Sequence, residues 1–268
     1  MKEIEKSSAL SVQVADAAAD IDLINKYTVR KLAPEEVYCF SVNLRDNDLD
    51  RDTETFTDAS LEKLATLFLG KTGIKDHWRS AENQFSRIYH TEVVNAGKQN
   101  KLKQPLKQLR AKAYMPKTDD TKALIDAIDA GILKEVSVGA RAKKCSCSIC
   151  QKPLKPDWYT FTYHCEDGHV KGETYNGNLC YGKLEDIEEA YEFSLVAVPS
   201  QRNAGITKSA KSLDDAFAVL MDADLSEHTD KIEGLLPRLK SAMADRAERV
   251  QRAAIIAENK KYLKKTEE

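Results

Sequence analysis

The sequence lacks the features that would place it in several common classes of protein. It has no run of about 18 apolar residues, so we expect no transmembrane helix. Residues 1–11 are charged and contain no apolar stretch of the signal-peptide kind, so we expect a cytoplasmic protein with reduced thiols. The formal net charge is only -2, which predicts no bulk attraction to nucleic acid or to an acidic membrane. The 268 residues are 42% hydrophobic, which is enough for a substantial core.

The pattern of the chain predicts an α+β protein. Apolar and polar residues alternate as in strands at 37–44, 109–115 and 133–140, whereas residues 119–131 have helical spacing and end on a glycine. Strands and helices do not alternate regularly, so a doubly wound parallel sheet is not expected. A small β-barrel or a sheet flanked by a few helices fits the pattern better.

Composition divides the chain into three parts. Residues 1–34 are alanine-rich without a strong period, and predict a flexible or weakly helical arm. Residues 35–208 form the central domain, which contains a Cys/His-rich insertion at 145–180. Residues 209–268 begin with a linker and predict a helical tail with a heptad-like apolar stripe.

Five of the six cysteines lie between Cys145 and Cys180, and in a cytoplasmic protein such a cluster favours a metal site over disulfides. A Cys-x-x-Cys pair is followed after fourteen residues by a third cysteine, and four positions later by a histidine. This set suits a closed, structural Zn²⁺ site. Cys145 or Cys180 could replace a ligand, His164 could replace the histidine, and a loop of unliganded thiols is the alternative interpretation. The predicted ligands are Cys147, Cys150, Cys165 and His169.

Three distant segments each contain one member of a possible serine-protease triad. Ser137 lies on the polar face of an apolar strand, two residues before Gly139, where a glycine would let a substrate backbone approach closely. His77 follows a helix and a turn, and could act as the general base. Glu192 opens an apolar strand and could orient the imidazole, with Asp76 as a competing carboxylate. The sequence has no Gly-x-Ser-x-Gly, so the nucleophile elbow of the α/β-hydrolases is excluded. Taken singly, each residue also suits an ordinary surface or strand position.

Taken together, the three segments resemble the motifs of tailed-bacteriophage prohead maturation proteases. The segments are GKTGIKDH at 70–77, GILKEVSVG at 131–139 and AYEFSLVAVP at 190–199, and the resemblance spans roughly residues 37–208. It implies a fold similar to that of the herpesvirus assemblins, a closed β-barrel surrounded by helices. It also implies that Ser137 is the nucleophile, His77 the base and Glu192 the orienting group. The herpesvirus branch has a second histidine in the third role.

The resemblance further implies a role in procapsid maturation. Such proteases act inside the viral procapsid in the host cytoplasm, where they cleave scaffold protein, an extension of the major capsid protein, and often themselves. They need no cofactor for catalysis, and a similar Cys/His insertion occurs in some members. We expect scaffold and capsid protein as partners and possible self-association, with no membrane and no specific nucleic acid. A non-catalytic capsid scaffolding or assembly protein is the alternative, and a zinc-ribbon nucleic-acid binder is a third hypothesis.

Overall fold

A computed structural model describes residues 17–207. The predicted helical tail at 209–268 and residues 1–16 of the predicted arm lie outside the described residues. Within the described range the protein is α+β, as predicted. The helices are α1 (Ala17–Ile24), α2 (Asp58–Phe68) and α3 (Asp119–Asp129), with a short 3-10 turn at Pro34–Glu36. The strands are β1 (Val37–Asp46), β2 (Glu54–Phe56), β3 (Thr72–Lys75), β4 (Ser86–Gln99), β5 (Pro105–Pro116), β6 (Val136–Cys147), β7 (Lys155–Asp157), β8 (Thr162–His164), β9 (Thr174–Tyr175), β10 (Asn178–Leu179), β11 (Gly182–Leu195) and β12 (Gly205–Thr207).

Eight of these strands form one mixed sheet. Seven follow the order β12-β1-β5-β4-β3-β11-β2, and β6 pairs with β11. The long strand β11 is parallel to β2 and β3, whereas the other pairings are antiparallel. In the described part of the chain, the prediction of a closed barrel is wrong. In the described chain, an isolated bridge between Glu135 and Gly205 connects β12 to the start of β6, and no continuous ladder closes the sheet.

Flanking residues cap the two longer helices, and α3 occupies the segment for which the sequence predicts a helix. The Thr57 hydroxyl accepts a hydrogen bond from the Ser60 N–H at 3.2 Å and so caps α2. After α3, Gly131 has a φ of 72°, and the N–H of Ile132 donates to the carbonyl of Ala127. This is the Schellman arrangement, which favours glycine because of its positive φ. Between residues 17 and 207, no helix is long and apolar enough to cross a bilayer.

The main core lies between helices α2 and α3 and one face of the sheet. Three aromatic side chains at its centre, Phe40, Phe68 and Phe193, are at most 1% exposed. Phe193 belongs to β11, and its ring lies 6.0 Å from that of Phe85 and 6.5 Å from that of Phe40. The burial of Phe193 fixes the orientation of this end of β11, because successive side chains of a strand point to opposite faces.

The described part of the predicted arm is a packed helix. Ile24 of α1 is completely buried and packs in a second cluster with Val37, Tyr89 and Tyr114. Asp20 accepts a hydrogen bond from the Tyr89 hydroxyl at 2.8 Å. Apolar burial and a buried hydrogen bond therefore hold α1 against the sheet, which the alanine-rich composition did not indicate.

The Cys/His insertion forms a small unit of its own between β6 and β11. It contains two short hairpins, β7–β8 and β9–β10. Its core consists of Leu154 together with Cys147, Cys165 and Cys180, all at most 7% exposed. The insertion thus has too few apolar side chains for an independent core. A bound metal would contribute the additional free energy that stabilises its fold.

Candidate active site and metal centre

The candidate active site is built on the pairing of β6 with β11. Ser194 stands opposite Ser137, and Glu192 stands opposite Gly139. Between them, Phe193 is fully buried in the core. Because side chains alternate along a strand, the two serines and Glu192 lie on the opposite face of the sheet from the core. Two of the three predicted triad residues therefore share one face of one pair of strands.

A β-bulge at Tyr191 turns Glu192 to this face. The register between the strands shifts between Ala190 and Glu192, so β11 has one more residue here than β6. Ala190 and Phe193 both belong to the core although they are three positions apart, which an unbroken strand does not allow. Without the bulge, Glu192 would share a face with Ala190 and point into the core. Bulges of this kind commonly re-aim side chains beside active sites.

His77 reaches the same face from a tight turn that follows β3. The N–H of Trp78 donates to the carbonyl of Lys75 at 3.0 Å, and the two central residues, Asp76 and His77, have φ values of 52° and 56°. Two positive φ values are typical of a type I′ turn and are unfavourable for residues other than glycine, asparagine or aspartate. Since β3 runs parallel to β11, the turn lies beside the end of that strand, and the His77 N–H donates to the Ser194 hydroxyl at 3.1 Å.

The imidazole of His77 is hydrogen-bonded to Glu192, as the triad prediction requires. Nδ1 of His77 lies 2.9 Å from Oε1 of Glu192, while Oε2 accepts a hydrogen bond from the Ser194 hydroxyl at 2.7 Å. An ionised carboxylate only accepts, so the neutral imidazole carries its proton on Nδ1 and leaves Nε2 free as a base. Glu192 is 1% exposed, whereas the His77 side chain is 41% exposed to solvent. The competing Asp76 makes no side-chain hydrogen bond to His77 within residues 17–207.

Ser137 is close to this pair but is not hydrogen-bonded to it. It is half-buried and directly opposite Ser194, whose hydroxyl contacts both His77 and Glu192. Directly opposed residues in an antiparallel pair have Cβ atoms about 4.5–5.5 Å apart, so Ser137 stands next to the histidine–carboxylate pair. In the described chain its hydroxyl makes no hydrogen bond. Catalytic hydrogen bonds are often loose in a free enzyme and tighten when substrate binds.

Gly139 has a structural role that the sequence did not indicate. A Cβ atom at this position would collide with Oε1 of Glu192. The absent side chain therefore makes room for the carboxylate that is hydrogen-bonded to His77. The close approach explains why a glycine lies directly opposite Glu192.

An open cleft of about 330 Å³ lies beside the histidine–carboxylate pair and could accept a substrate side chain. Glu192 and the bulge residue Tyr191 form one wall, and the guanidinium of Arg79 stacks on the Tyr191 ring at 4.3 Å. Such a contact is favourable by about 0.5–1 kcal/mol at an exposed site. The cleft is also lined by Thr72, Ile74, Ser80, Ala81 and Gln84.

The four predicted metal ligands meet in the insertion. One ligand atom from each of Cys147, Cys150, Cys165 and His169 lies within 4.8 Å of the other three. The Sγ atoms of Cys150 and Cys165 are 3.4 Å apart, and Nδ1 of His169 is 3.4 Å from Cys165 and 3.9 Å from Cys147. Ligands at about 2.0–2.3 Å from a tetrahedral ion are about 3.5–3.8 Å from one another, so the group fits a metal ion such as zinc.

Local backbone structure prepares this group for a metal. The N–H of Ile149 points at the sulfur of Cys147 at 3.4 Å, and a turn closed by the Gly168 N–H follows Cys165. Burial raises the pKa of the Cys165 thiol, but hydrogen bonds from Cys150 and from the backbone at His169 outweigh it and lower the pKa to about 7. A thiolate is the form that binds metal, so this environment favours ligation.

The alternative ligands differ in their positions. His164 is not part of the four-residue group, which contains His169. Cys180 is fully buried, with its sulfur 3.7 Å from that of Cys147, and it also lies outside that group. Burial and the nearby carboxylate of Glu54 raise the pKa of Cys145 to about 11, which disfavours the thiolate there. The geometry therefore favours the Cys3His set, with Cys180 as the nearest further sulfur.

Loss of one ligand should weaken metal binding selectively. We expect the protein to bind one equivalent of Zn²⁺, and Cys150→Ser to weaken its affinity by more than about 10²-fold, because a serine hydroxyl is a poor soft ligand. Cys39→Ser, outside the insertion, is the matched control and should bind as the wild type does. Competition with a chromophoric chelator measures both affinities. Unchanged affinity in Cys150→Ser would contradict this ligand set.

Sequence reasoning missed two residues of the candidate site, Ser194 and Tyr191. The sequence around Ser194 indicates only an apolar strand. The bulge at Tyr191 depends on the pairing of β11 with β6, which the sequence alone does not reveal. The one available signal was spacing, because Ala190 and Phe193 are both apolar but three positions apart in a strand of period two.

Comparisons of the chain with protein-family models, with curated proteins and with solved structures gave no match.

Proposed function

We propose that this chain is a serine endopeptidase of phage procapsid maturation, with Ser137 as nucleophile, His77 as general base and Glu192 as the orienting group. The observation that carries the proposal is the 2.9 Å contact between Nδ1 of His77 and Oε1 of Glu192. Glu192 lies on the same face of the sheet as Ser137, opposite the residue two positions after it in β6. Residues 115 positions apart in the chain meet here in the relation that acyl-transfer chemistry requires.

The mechanism follows from the hydrogen bonds of the site. The free Nε2 of His77 accepts the proton of Ser137 as its Oγ attacks the scissile carbonyl carbon. Buried Glu192 stabilises the imidazolium that forms, and His77 then protonates the leaving amine. The resulting ester between Ser137 and the acyl part of the substrate is cleaved by water, which His77 activates in turn. The serine is restored, and no cofactor takes part.

The edge of β6 beside Ser137 provides backbone donors for this reaction. The Val136 N–H donates to Ala204, away from β11, so the N–H groups of Val138 and Ala140 point to the same side. From Val138 to Lys144 this edge of β6 has no strand partner in the described chain. These groups are available to an extended substrate or to a developing oxyanion.

The biological setting of the proposal rests on the resemblance to the prohead proteases. The substrates would be the scaffold and major capsid proteins, and the enzyme itself, inside the procapsid in the host cytoplasm. We extend the proposal to an assemblin-like arrangement of the sheet but not to a closed barrel; the bridge between Glu135 and Gly205 brings β12 to the start of β6 without closing the sheet. The metal of the insertion would be zinc with a structural role, because four protein ligands leave no open position.

Covalent labelling tests the assignment without knowledge of the cleavage site. A fluorophosphonate probe reacts with an activated serine: an oxygen–phosphorus bond forms, fluoride leaves, and the serine proton passes to the base. We expect one label per wild-type chain, mapped by mass spectrometry to Ser137, and none in Ser137→Ala or His77→Ala. Absence of labelling in the folded wild type, or labelling at another serine, would contradict the proposal and favour a non-catalytic assembly protein.

A further inference from the structure

We infer that Ser194 is a positioning residue that holds the Glu192 carboxylate and the His77 turn in the arrangement the triad needs. This inference rests on the proposed function and adds a fourth residue to it. Ser194 is the one side chain in the described chain that bonds to both His77 and Glu192. It also stands directly opposite Ser137 across the ladder.

The direction of each hydrogen bond at Ser194 is determined by its partners. The backbone N–H of His77 can only donate, so the Ser194 oxygen accepts this bond at 3.1 Å. The Ser194 proton is then available for Oε2 of Glu192, at 2.7 Å. Oε1 of the same carboxylate remains for the Nδ1 proton of His77. Each oxygen of Glu192 thus has its own donor, which fixes the rotation of the carboxylate about its last bond.

Ser194 also stabilises an unfavourable backbone conformation. Asp76 and His77 both have positive φ values, and such residues persist only when surrounding contacts hold them. The turn has two anchors on β11: the Asp76 N–H donates to the carbonyl of Leu195, and the His77 N–H donates to Ser194. The second anchor is a side chain, so a substitution can remove it without disturbing the ladder.

Burial separates the roles of the two serines. Ser194 is 0% exposed, and no substrate carbonyl can reach its oxygen. Ser137 is half-buried and its hydroxyl has no hydrogen-bond partner among residues 17–207. Ser194 is therefore a structural donor to the carboxylate, and Ser137 is the serine that is free to react.

The test compares two buried serines that have the same chemistry. Ser146, also 0% exposed, donates to Oε2 of Glu185 at 2.6 Å across the same pair of strands, far from His77. We expect Ser194→Ala to lower the maximal rate of fluorophosphonate labelling at Ser137 by about 10- to 100-fold, with little change in the concentration for half-maximal rate. Ser146→Ala should stay within about two-fold of the wild type. Equal rates for Ser194→Ala and the wild type would overturn the inference.

Two further measurements make the result independent of folding and of catalysis. Ser194→Cys keeps the size of the side chain but weakens the donor, so its labelling rate should lie between those of the wild type and Ser194→Ala. In the proton NMR spectrum, the Nδ1 proton of His77 should give a downfield resonance that is lost in His77→Ala and shifted in Ser194→Cys. An unshifted resonance would overturn the inference even if the wild type did not react with the probe. An unreactive wild type with a shifted resonance would instead contradict the proposed function alone.

Discussion

Ser137→Ala is expected to lower cleavage of the scaffold and capsid proteins by about 10⁴-fold or more, because no other group can form the acyl-enzyme. Ser194, which accepts a hydrogen bond from the His77 N–H, is completely buried and already donates to Glu192. The measurement is co-expression of each variant with the scaffold and major capsid proteins, followed by the appearance of shortened products. The expected effect is at least as large as that of any other single substitution considered, since the attacking atom itself is removed.

Ser146→Ala is the control for this experiment. It makes the same chemical change in the same strand, but at the end of β6 next to the insertion. Processing should remain close to that of the wild type. If Ser137→Ala and the wild type process their partners equally, the chain is not the protease, and the alternative of a non-catalytic scaffolding or assembly protein gains support. Circular dichroism of both variants shows whether each remains folded.

The sequence indicates three candidate triad positions because each belongs to a short segment with distinctive neighbours. How His77 meets Glu192 could not be predicted. That contact depends on the parallel pairing of β3 with β11 and on the bulge at Tyr191, and both are set by contacts between distant segments. A strand of four residues such as β3 carries little periodic signal. For β11, the apolar pattern of the sequence predicts a strand only over residues 193–198, at its C-terminal end.

The same contrast holds for the rest of the fold. Helix α3 was predictable because capping, spacing and Gly131 all indicate the same element. In the described chain the sheet does not close into the predicted barrel, because β12 meets β6 only at the bridge between Glu135 and Gly205. In the insertion, the grouping of three cysteines and one histidine could be predicted from spacing alone, since a tetrahedral site requires close pairs of soft ligands. The two hairpins that bring them together are too short to leave a pattern in the sequence.

Glu192→Gln is expected to lower the labelling and cleavage rates by about 10⁴-fold, although it preserves the size of the side chain. The amide cannot stabilise the imidazolium as a carboxylate does. It also presents a donor group to one of the two partners that now donate to Glu192, namely Nδ1 of His77 and the hydroxyl of Ser194. If the amide nitrogen faces His77, the imidazole must carry its proton on Nε2, and it can no longer accept a proton from Ser137.

Two matched substitutions separate this role from a general effect of charge. Glu185→Gln removes a carboxylate of β11 that also accepts a serine hydrogen bond, from Ser146, and it should leave the rates within a few-fold of the wild type. Asp76→Asn tests the carboxylate next to His77 in sequence. We expect only a small effect there, because His77 is bonded to Glu192. A large loss in Asp76→Asn together with an active Glu192→Gln would assign the orienting role to Asp76. A large loss in Glu192→Gln together with an active Asp76→Asn would establish Glu192 as the orienting carboxylate. By accepting the Nδ1 proton of His77, Glu192 keeps Nε2 unprotonated and able to act as the base.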